Sequence, residues 1–168
     1  MSNKPTNSAI GVYAGTFDPI THGHKDIIIR SAQLFDKLIV AVAEEVQKQV
    51  LFTAAERVHL VKEAIADVPG DIEVESFNAL LVDYAKTRNA RTIIRGLRAV
   101  SDYEYEAQMA LINRELAQEI ETIFLMTSGH CAFVSSSVAK EVARFGGDLS
   151  RLVPPNVARV LEEKLANR

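Results

Sequence analysis

Residues 10–24 read IGVYAGTFDPITHGH and contain an apolar run, a glycine and a polar loop in that order. The run at 10–14 is typical of a short strand that is buried on both of its faces. Gly15 permits a tight turn and a close approach of the backbone to a ligand. Apolar residues at helical spacing follow between positions 27 and 35. The stretch therefore predicts a strand, a loop and a helix, which is the repeating unit of a parallel α/β sheet.

The same alternation of strand and helix continues along the chain. Four more strands are predicted, and these span residues 38–43, 72–77, 92–94 and 121–126. The predicted buried stripe of the helix between the last two strands consists of Tyr105, Met109, Ile112 and Leu116. We therefore predict a doubly wound, Rossmann-like fold, in which a five-stranded parallel sheet carries helices on both faces. We expect one domain over residues 1–168, with a disordered tail at residues 1–8.

Composition excludes several classes of protein. The chain has 168 residues, of which 48% are hydrophobic and 24% are charged, as in ordinary globular proteins. The formal net charge of −3 argues against a protein that binds nucleic acid over its whole surface. Cys131 is the only cysteine, so it forms no internal disulfide and belongs to no cysteine cluster for zinc. With no long apolar run and no signal peptide, we expect a cytoplasmic protein that binds no membrane.

Polar residues follow the first strand, at the edge of the sheet where open α/β sheets bind ligands. Thr16 offers a hydroxyl and an amide, and His24 lies near a helix start, where free N–H groups attract anions. The loop has neither of the two common glycine-rich phosphate patterns. The helix dipole disfavours an imidazolium and a nearby phosphate favours it, so the protonation state of His24 stays open. The alternative interpretation is a simple turn with two incidental histidines.

Other strand ends carry side chains that suit phosphate. Arg95 and Arg98 follow the fourth strand, and guanidinium groups make forked hydrogen bonds to phosphate oxygens. The alternative for them is a surface ion pair with Asp102 or Glu104. After the fifth strand, three serines at 135–137 begin a helix, where they can cap it or present hydroxyl and amide groups to an anion.

Lys140 lies one turn into that helix, and Lys48 lies in the polar segment after the second strand. A solvated surface lysine is the alternative interpretation for both residues. The sequence shows no nucleophile with an adjacent base and no evident metal cage. The pattern favours phosphoryl or nucleotidyl transfer by positioning and electrostatic stabilisation, without a covalent intermediate.

Three segments resemble signatures of the nucleotidylyltransferase superfamily. Residues 15–24 resemble its [TH]-x-G-H signature, and residues 134–140 resemble I-S-S-S-x-x-[RK] with Val134 in place of isoleucine. Residues 95–106, RGLRAVSDYEYE, are similar to the segment that distinguishes the phosphopantetheine adenylyltransferase family of bacterial coenzyme A biosynthesis. The resemblance covers about residues 10–165, nearly the whole chain.

The resemblance implies that ATP and 4′-phosphopantetheine react to give dephospho-coenzyme A and pyrophosphate. It implies direct in-line attack, Mg²⁺ carried with ATP, and a homohexamer built as a dimer of trimers. The catalytic residues implied are Thr16, His24, Lys48 and Arg95, with His24 as the stabiliser of the transition state. The residues implied to bind the acceptor are Thr16, Lys48, Leu81 and Arg95. The residues implied to bind ATP are Thr16, Phe17, His24, Gly96, Leu97, Arg98, Glu106, Cys131, Ala132, Phe133, Val134, Ser135, Ser136 and Ser137.

The chain also departs from the family pattern. Ala14 stands where a proline is frequent, and Ala79 replaces a common glycine. The segment at 44–50 is acidic and lacks the expected prolines, so the position assigned to Lys48 is open by one residue. Two alternative functions stay open: a related nucleotidylyltransferase with another acceptor, such as nicotinamide mononucleotide or glycerol phosphate, and a non-catalytic nucleotide-binding module.

Overall fold

The computed structural model describes residues 9–45 and 49–166. Strands and helices alternate along it in the order β1 (Ile10–Gly15), α1 (His22–Ala32), β2 (Lys37–Ala43), α2 (Ala54–Ala64), β3 (Ile72–Phe77), α3 (Leu81–Thr87), β4 (Thr92–Leu97), α4 (Val100–Leu116), β5 (Glu121–Met126), a 3₁₀ turn (Gly129–Cys131), α5 (Ser136–Arg144) and α6 (Pro155–Ala166). The expected tail at 1–8 lies outside the described residues. None of the described helices combines the length and the apolar character that crossing a bilayer requires.

The five strands form one parallel sheet in the order β3-β2-β1-β4-β5. The chain adds β2 and β3 on one side of β1 and then crosses to add β4 and β5 on the other, which confirms the doubly wound prediction. Between β1 and β4 the pairing ends at Tyr13 and Ile94. The pairing of β1 with β2 continues further, to Gly15 opposite Val42, and that of β4 with β5 continues to Leu97 opposite Met126. The two central strands therefore separate at their carboxyl ends, and a crevice opens where strand order reverses.

Successive residues of the central strands point to opposite faces of the sheet, and each face has its own apolar core. Tyr13 and Val40 pack on one face with residues of α1, α2, α5 and α6. Val12 and Ile39 pack on the other face with residues of α3. The strands are apolar throughout because both faces are covered, and helices on both faces were predicted for that reason.

Strand β4 is longer than predicted. The sequence predicted 92–94, whereas β4 reaches Leu97 and pairs with β5 along its whole length. Arg95 and Gly96 are thus strand residues opposite Phe124 and Leu125, and do not follow the strand. Strand pairing outweighed the turn preference of the glycine, so this segment is extended and paired with β5.

The prediction of a buried stripe on α4 was wrong. Tyr105 is 64% exposed and Leu116 is 55% exposed. The four stripe residues line one side of a cavity of about 200 Å³, and Leu80, Leu81 and Val82 line the other. Apolar spacing shows which residues share a face of a helix, but it does not show what covers that face.

Candidate active site

A cleft of about 520 Å³ opens at the crevice between β1 and β4. Its walls come from the carboxyl ends of these strands, from the loops after β1, β2 and β5, and from α1, α4 and α5. The predicted site residues that line it are Thr16, Phe17, His24, Arg95, Gly96, Arg98, Glu106, Val134, Ser135, Ser136 and Ser137. Residues from four separate segments of the sequence thus meet in one place.

His24 forms part of the N-terminal cap of α1. The hydroxyl of Thr21 accepts a hydrogen bond from the His24 backbone N–H at 3.3 Å, and Nδ1 of His24 accepts one from the Thr21 backbone N–H at 3.0 Å. This is a capping box in which histidine occupies the place of the usual glutamate or glutamine. Because Nδ1 is an acceptor, the ring proton resides on Nε2. His24 therefore enters the cleft as a neutral donor.

The surroundings of His24 favour this neutral form. Loss of solvent around the ring, followed by the positive charges of Arg98 and Arg95, lowers its pKa from 6.5 to about 4. The protonation state that the sequence left open is therefore that of a neutral imidazole in the free protein. A bound phosphate would oppose the shift, because a nearby anion favours imidazolium.

Phe17 holds the imidazole from the side. Its backbone has φ of 50°, in the left-handed region that non-glycine residues rarely occupy. Its ring is 1% exposed and packs edge-on against His24, with ring centroids 5.0 Å apart, and against Tyr13 at 5.4 Å. The strained backbone thus places an aromatic ring edge-on against the His24 imidazole. Strain of this kind is concentrated at functional sites.

Glu106 on α4 orients the side chain of Arg95 on β4, and both residues line the cleft. Nε and Nη2 donate to the two carboxylate oxygens at 2.7 Å each, and Nη1 donates to the carbonyl of Ala14 at 2.6 Å. Burial alone would lower the pKa of Arg95, but the Glu106 carboxylate outweighs it and the pKa is raised. Two of the five guanidinium N–H donors are left for a ligand. Glu106, implied to bind ATP, therefore also positions Arg95.

Arg98 has a carboxylate partner of its own. Its Nε and Nη2 donate to the Asp102 carboxylate at 3.1 and 3.2 Å, and the Arg98 backbone N–H donates to the same group at 3.1 Å. The ion pair with Asp102 that the sequence offered as an alternative is present. The pair nevertheless lies in the cleft, since both residues line it.

The N-terminus of α5 forms another wall of the cleft. Ser135 caps it by accepting from the backbone N–H of Val138 at 3.1 Å, and the Ser136 hydroxyl donates to the Pro19 carbonyl at 2.8 Å. Ser137 is exposed toward the cleft without a capping role. One turn further, Lys140 donates to Asp18 at 2.7 Å. Free amides at a helix start and an ammonium group together suit a phosphate chain.

Several of the residues predicted to bind ATP do not line the cleft. Cys131 is 2% exposed and lies against Gly23, and burial followed by the charge of Asp26 raises the pKa of its thiol. Ala132 and Phe133 are exposed and do not line the cleft. Their implied contacts with ATP stay predictions.

Leu97, Leu81 and Lys48 were also predicted to belong to the site. Leu97 is buried, with 6% exposed, and does not line the cleft. Leu81 lines the 200 Å³ cavity, which shares Arg95 and Glu106 with the main cleft. Lys48 lies outside the described residues, so its role stays a prediction.

The two histidines of the first signature have different environments. Nε2 of His22 lies 3.1 Å from the Ser150 carbonyl, and the His22 backbone N–H donates to Leu152 at 3.0 Å. His22 is not among the residues that line the cleft. It joins α1 to the loop before α6, whereas His24 reaches the cleft.

The sequence did not single out Asp18, which lines the cleft and accepts the hydrogen bond from Lys140. An aspartate beside proline in a turn is expected to be exposed, whereas Asp18 is 3% exposed. Its place inside the first signature was the available signal.

The described residues contain no group of three histidine, cysteine, aspartate or glutamate side chains that could hold a metal ion. The carboxylates that line the cleft, Asp18, Asp102 and Glu106, are each bonded to a lysine or an arginine. Oxygen ligands for Mg²⁺ would therefore come mainly from a bound triphosphate and from water.

Taken together, the cleft presents a neutral imidazole donor, two guanidinium groups, an ammonium group and helix N-terminal amides. Among the described residues that line it, we find no serine or cysteine paired with a histidine base. Groups of this kind suit the binding of anions and can stabilise the charge of a phosphoryl transition state.

Comparison with known proteins identifies the class. Residues 12–142 match a family model described as cytidylyltransferase-like. The fold is shared with the nicotinic acid mononucleotide adenylyltransferase of Plasmodium falciparum, solved in complex with NaAD, at a TM-score of 0.68 and 15% identity over 95% of each chain. The fold and the signatures define a nucleotidylyltransferase.

Sequence similarity narrows this class to one family. The phosphopantetheine adenylyltransferase of Caldanaerobacter subterraneus subsp. tengcongensis is 56% identical over 155 residues, which are 92% of this chain and 96% of that protein. That of Desulfosudis oleivorans is 51% identical over 156 residues, 93% of this chain and 92% of the relative. The chain belongs to the phosphopantetheine adenylyltransferase family.

Proposed function

We propose that the cleft transfers the adenylyl group of ATP to 4′-phosphopantetheine by direct in-line attack, giving dephospho-coenzyme A and pyrophosphate. Membership of the family supports the reaction, because relatives about half identical over most of the chain are phosphopantetheine adenylyltransferases. The observation that carries the proposal is that His24 and Arg95 line one cleft at the point where strand order reverses.

The reaction needs no general base. A terminal phosphate of the acceptor is already an anion at neutral pH, and one of its oxygens forms a bond to the α-phosphorus of ATP. The bond from that phosphorus to the bridging oxygen breaks, and pyrophosphate leaves with the electron pair. The main barrier is repulsion between anions, which positive and hydrogen-bond-donating groups lower.

Each residue has a role in this scheme. His24 donates from Nε2 to an α-phosphate oxygen, whose negative charge grows in the transition state, and Thr16 binds beside it. Arg95, held by Glu106, binds the acceptor phosphate with its two remaining donors. Lys48 is proposed for the same phosphate, from the family resemblance alone. Leu81 contacts the pantetheine arm in the apolar cavity that adjoins Arg95.

The ATP phosphates are proposed to lie between the N-termini of α1 and α5, beside the serines at 135–137 and Lys140. Mg²⁺ would enter with ATP and neutralise charge on the leaving pyrophosphate. The carboxylates of the cleft are engaged with lysine and arginine side chains, which supports a metal held by phosphate oxygens and water.

We further propose a homohexamer, a dimer of trimers, in the cytoplasm. The exposed apolar side chains of α4 support an assembly, since Leu111 is 68% exposed and Leu116 is 55% exposed. Light scattering after size exclusion is expected to give six times the chain mass of 18.5 kDa. A monomer at micromolar concentration would contradict this part of the proposal.

The reaction itself is tested by a coupled pyrophosphate assay with ATP, Mg²⁺ and 4′-phosphopantetheine. An acceptor panel with labelled ATP, which includes nicotinamide mononucleotide and glycerol phosphate, tests the choice of acceptor. Product with phosphopantetheine alone supports the proposal. Product with another acceptor only, or tight ATP binding without pyrophosphate release, would refute it in favour of one of the two alternatives.

A further inference from the structure

Arg57, in the first turn of α2, is a buried cation whose hydrogen bonds go to backbone carbonyls. Its side chain is 1% exposed, and the residues described include no carboxylate in ion-pair contact with it. Nη1 donates to the carbonyls of Ala43 at 2.7 Å and Thr16 at 2.8 Å, and Nε donates to Phe52 at 3.1 Å. Nη2 reaches the Glu44 carbonyl at 3.5 Å. The guanidinium therefore joins the loop after β1 to the segment after β2.

Asp18 makes the reverse connection. It belongs to the loop after β1, and its carboxylate accepts from the backbone N–H groups of Leu51 at 2.9 Å and Phe52 at 2.9 Å. The same carboxylate accepts from Lys140 at 2.7 Å. Asp18 therefore ties the loop after β1 to the start of α2 and to α5. We call Asp18 and Arg57, with these backbone partners, the loop clamp.

The loop clamp holds the carboxyl end of β2 and the residues that precede α2. Arg57 binds the carbonyls of Ala43 and Glu44, and Asp18 binds the backbone of Leu51 and Phe52. Gln49 and Val50, which directly precede Leu51, line the cleft. The loop clamp also fixes the Thr16 carbonyl, in the loop that lines the phosphate side of the cleft. The loops that follow the neighbouring strands β1 and β2 are thereby held at a fixed distance from each other.

A purely stabilising role explains this arrangement poorly. Removing charges from water carries a penalty that hydrogen bonds only partly recover, and apolar replacements of buried ionic groups are often as stable. The burial of Arg57 lowers its pKa, against the opposing charges of Asp18 and Glu44, so its surroundings favour the charged form less than water does. Of the residues in the loop clamp and its partners, Thr16, Asp18 and Lys140 line the cleft.

We propose that Asp18 and Arg57 are positioning residues that set the distance between the loop after β1 and the residues before α2, of which Gln49 and Val50 line the cleft. The inference rests on the proposed function, because it takes these two stretches as walls of the cleft in which the two substrates react. In-line transfer requires the attacking oxygen and the α-phosphorus at a defined separation, so loosening the clamp slows the reaction between substrates that still bind.

The test compares Asp18→Asn, which keeps the side-chain size, and Arg57→Lys, which keeps the charge but loses the planar fork. Both are measured well below their melting temperatures, with folding checked by circular dichroism. We expect kcat to fall about 100-fold, the scale for a misplacement of about 1 Å, while the KM for 4′-phosphopantetheine changes much less. The Kd for ATP, measured by calorimetry, is expected to change much less.

Hydrogen exchange gives a readout that does not depend on activity. The amides of Leu51 and Phe52 donate to Asp18, so they are expected to exchange faster in Asp18→Asn than in the unaltered protein. The matched control is Arg88→Lys, since Arg88 pairs with Glu73 and Glu75 and lines neither cavity. This control is expected to keep normal kinetics and normal exchange at Leu51 and Phe52.

The outcomes separate the two proposals. Normal kcat in both variants, with faster exchange at Leu51 and Phe52, would overturn the positioning role and leave the clamp a structural feature. Unchanged exchange at these amides in Asp18→Asn would overturn the clamp itself. Failure of the unaltered protein to release pyrophosphate would refute the proposed function, while the exchange result would still report on the clamp. If Arg57→Lys does not fold, Asp18→Asn decides the question.

Discussion

The Nδ1 atom of His24 accepts a hydrogen bond from the backbone N–H of Thr21 at 3.0 Å, and this contact determines which ring nitrogen faces the ligand. One residue thus serves in the cap of α1 and in the cleft. The helix start fixes the tautomer, and the edge contact with Phe17 fixes the plane of the ring. The imidazole donor is therefore set in place before ATP arrives, which is the condition for electrostatic stabilisation without reorganisation.

The low pKa of His24 predicts a specific dependence of stability on pH. The unfolded chain binds the proton with a pKa near 6.5 and the folded protein with one of about 4. The unfolded state thus binds more protons in this window, so the free energy of unfolding falls as pH drops from about 6.5 to about 4. At about 1.4 kcal/mol per unit, the loss is about 3 kcal/mol.

Urea unfolding of the unaltered protein and of His24→Gln at several pH values measures this loss as the difference between the two curves. NMR titration of the His24 ring is expected to give a midpoint near 4 in the free protein. Addition of ATP is expected to raise that midpoint, because phosphate favours imidazolium. A midpoint of 6.5 without ATP would show that the cleft does not desolvate the ring.

Removal of the imidazole is expected to affect turnover more than binding. His24→Ala should lower kcat by about 10²–10³-fold, the scale for loss of one donor to a transition-state oxygen. ATP affinity should fall much less, and is measured by calorimetry. The control is His22→Ala, which removes a ring that contacts Ser150 outside the cleft. Equal kcat values for the two variants would contradict the role given to His24.

Replacement of Arg95 is expected to weaken acceptor binding. Hydrogen bonds that involve a charged group contribute about 1.5–3 kcal/mol each, so Arg95→Ala should raise the KM for 4′-phosphopantetheine by roughly 10–100-fold. Steady-state rates at saturating ATP give this constant. Arg91→Ala removes an exposed arginine that directly precedes β4, and it should leave the KM unchanged. An unaltered KM in Arg95→Ala would assign the acceptor phosphate to other residues.

Gly11 is expected to be intolerant of a side chain for reasons of space. A Cβ there would lie 2.9 Å from Cδ1 of Ile94 and 2.9 Å from the ring of Phe35. Gly11→Ala should therefore destabilise the fold by about 1–3 kcal/mol, as overpacking does. Urea denaturation measures the change, with Gly129→Ala as the control, since nothing lies within 4 Å of a Cβ at that position. Equal stability of the two variants would contradict the packing of β1.

The fold was predictable because the sheet is covered on both sides. Continuous apolar runs such as 38–43 indicate strands with two buried faces, and helices between them leave few topologies. The exposed stripe of α4 was not predictable, since the sequence does not show what a helical face packs against. The extent of β4 was missed because Gly96 resembles a turn residue until its partner on β5 is known.

In the site, the residues that face the ligand were predictable from the chemistry of strand ends, and Thr16, His24 and Arg95 do meet in one cleft. The residues that hold these side chains in place were not predictable. Glu106 lies eleven residues beyond Arg95, and no local spacing rule pairs a strand arginine with a glutamate inside the next helix. Arg57 resembles a solvated helix residue, and only the folded chain brings the four carbonyls around it.

Both arginine pairs depend on the short connection from the end of β4 at Leu97 to the start of α4 at Val100. Arg95 lies before this connection, Arg98 lies in it, and both of their carboxylate partners lie on α4. Asp102 and Glu106 lie about one turn apart on α4, so a single rigid rod supplies both carboxylates. One inserted or deleted residue in the connection would rotate α4 by about 100° and displace both carboxylates together. Changes of chain length among natural relatives should therefore avoid this connection, and circular permutants should not be opened here.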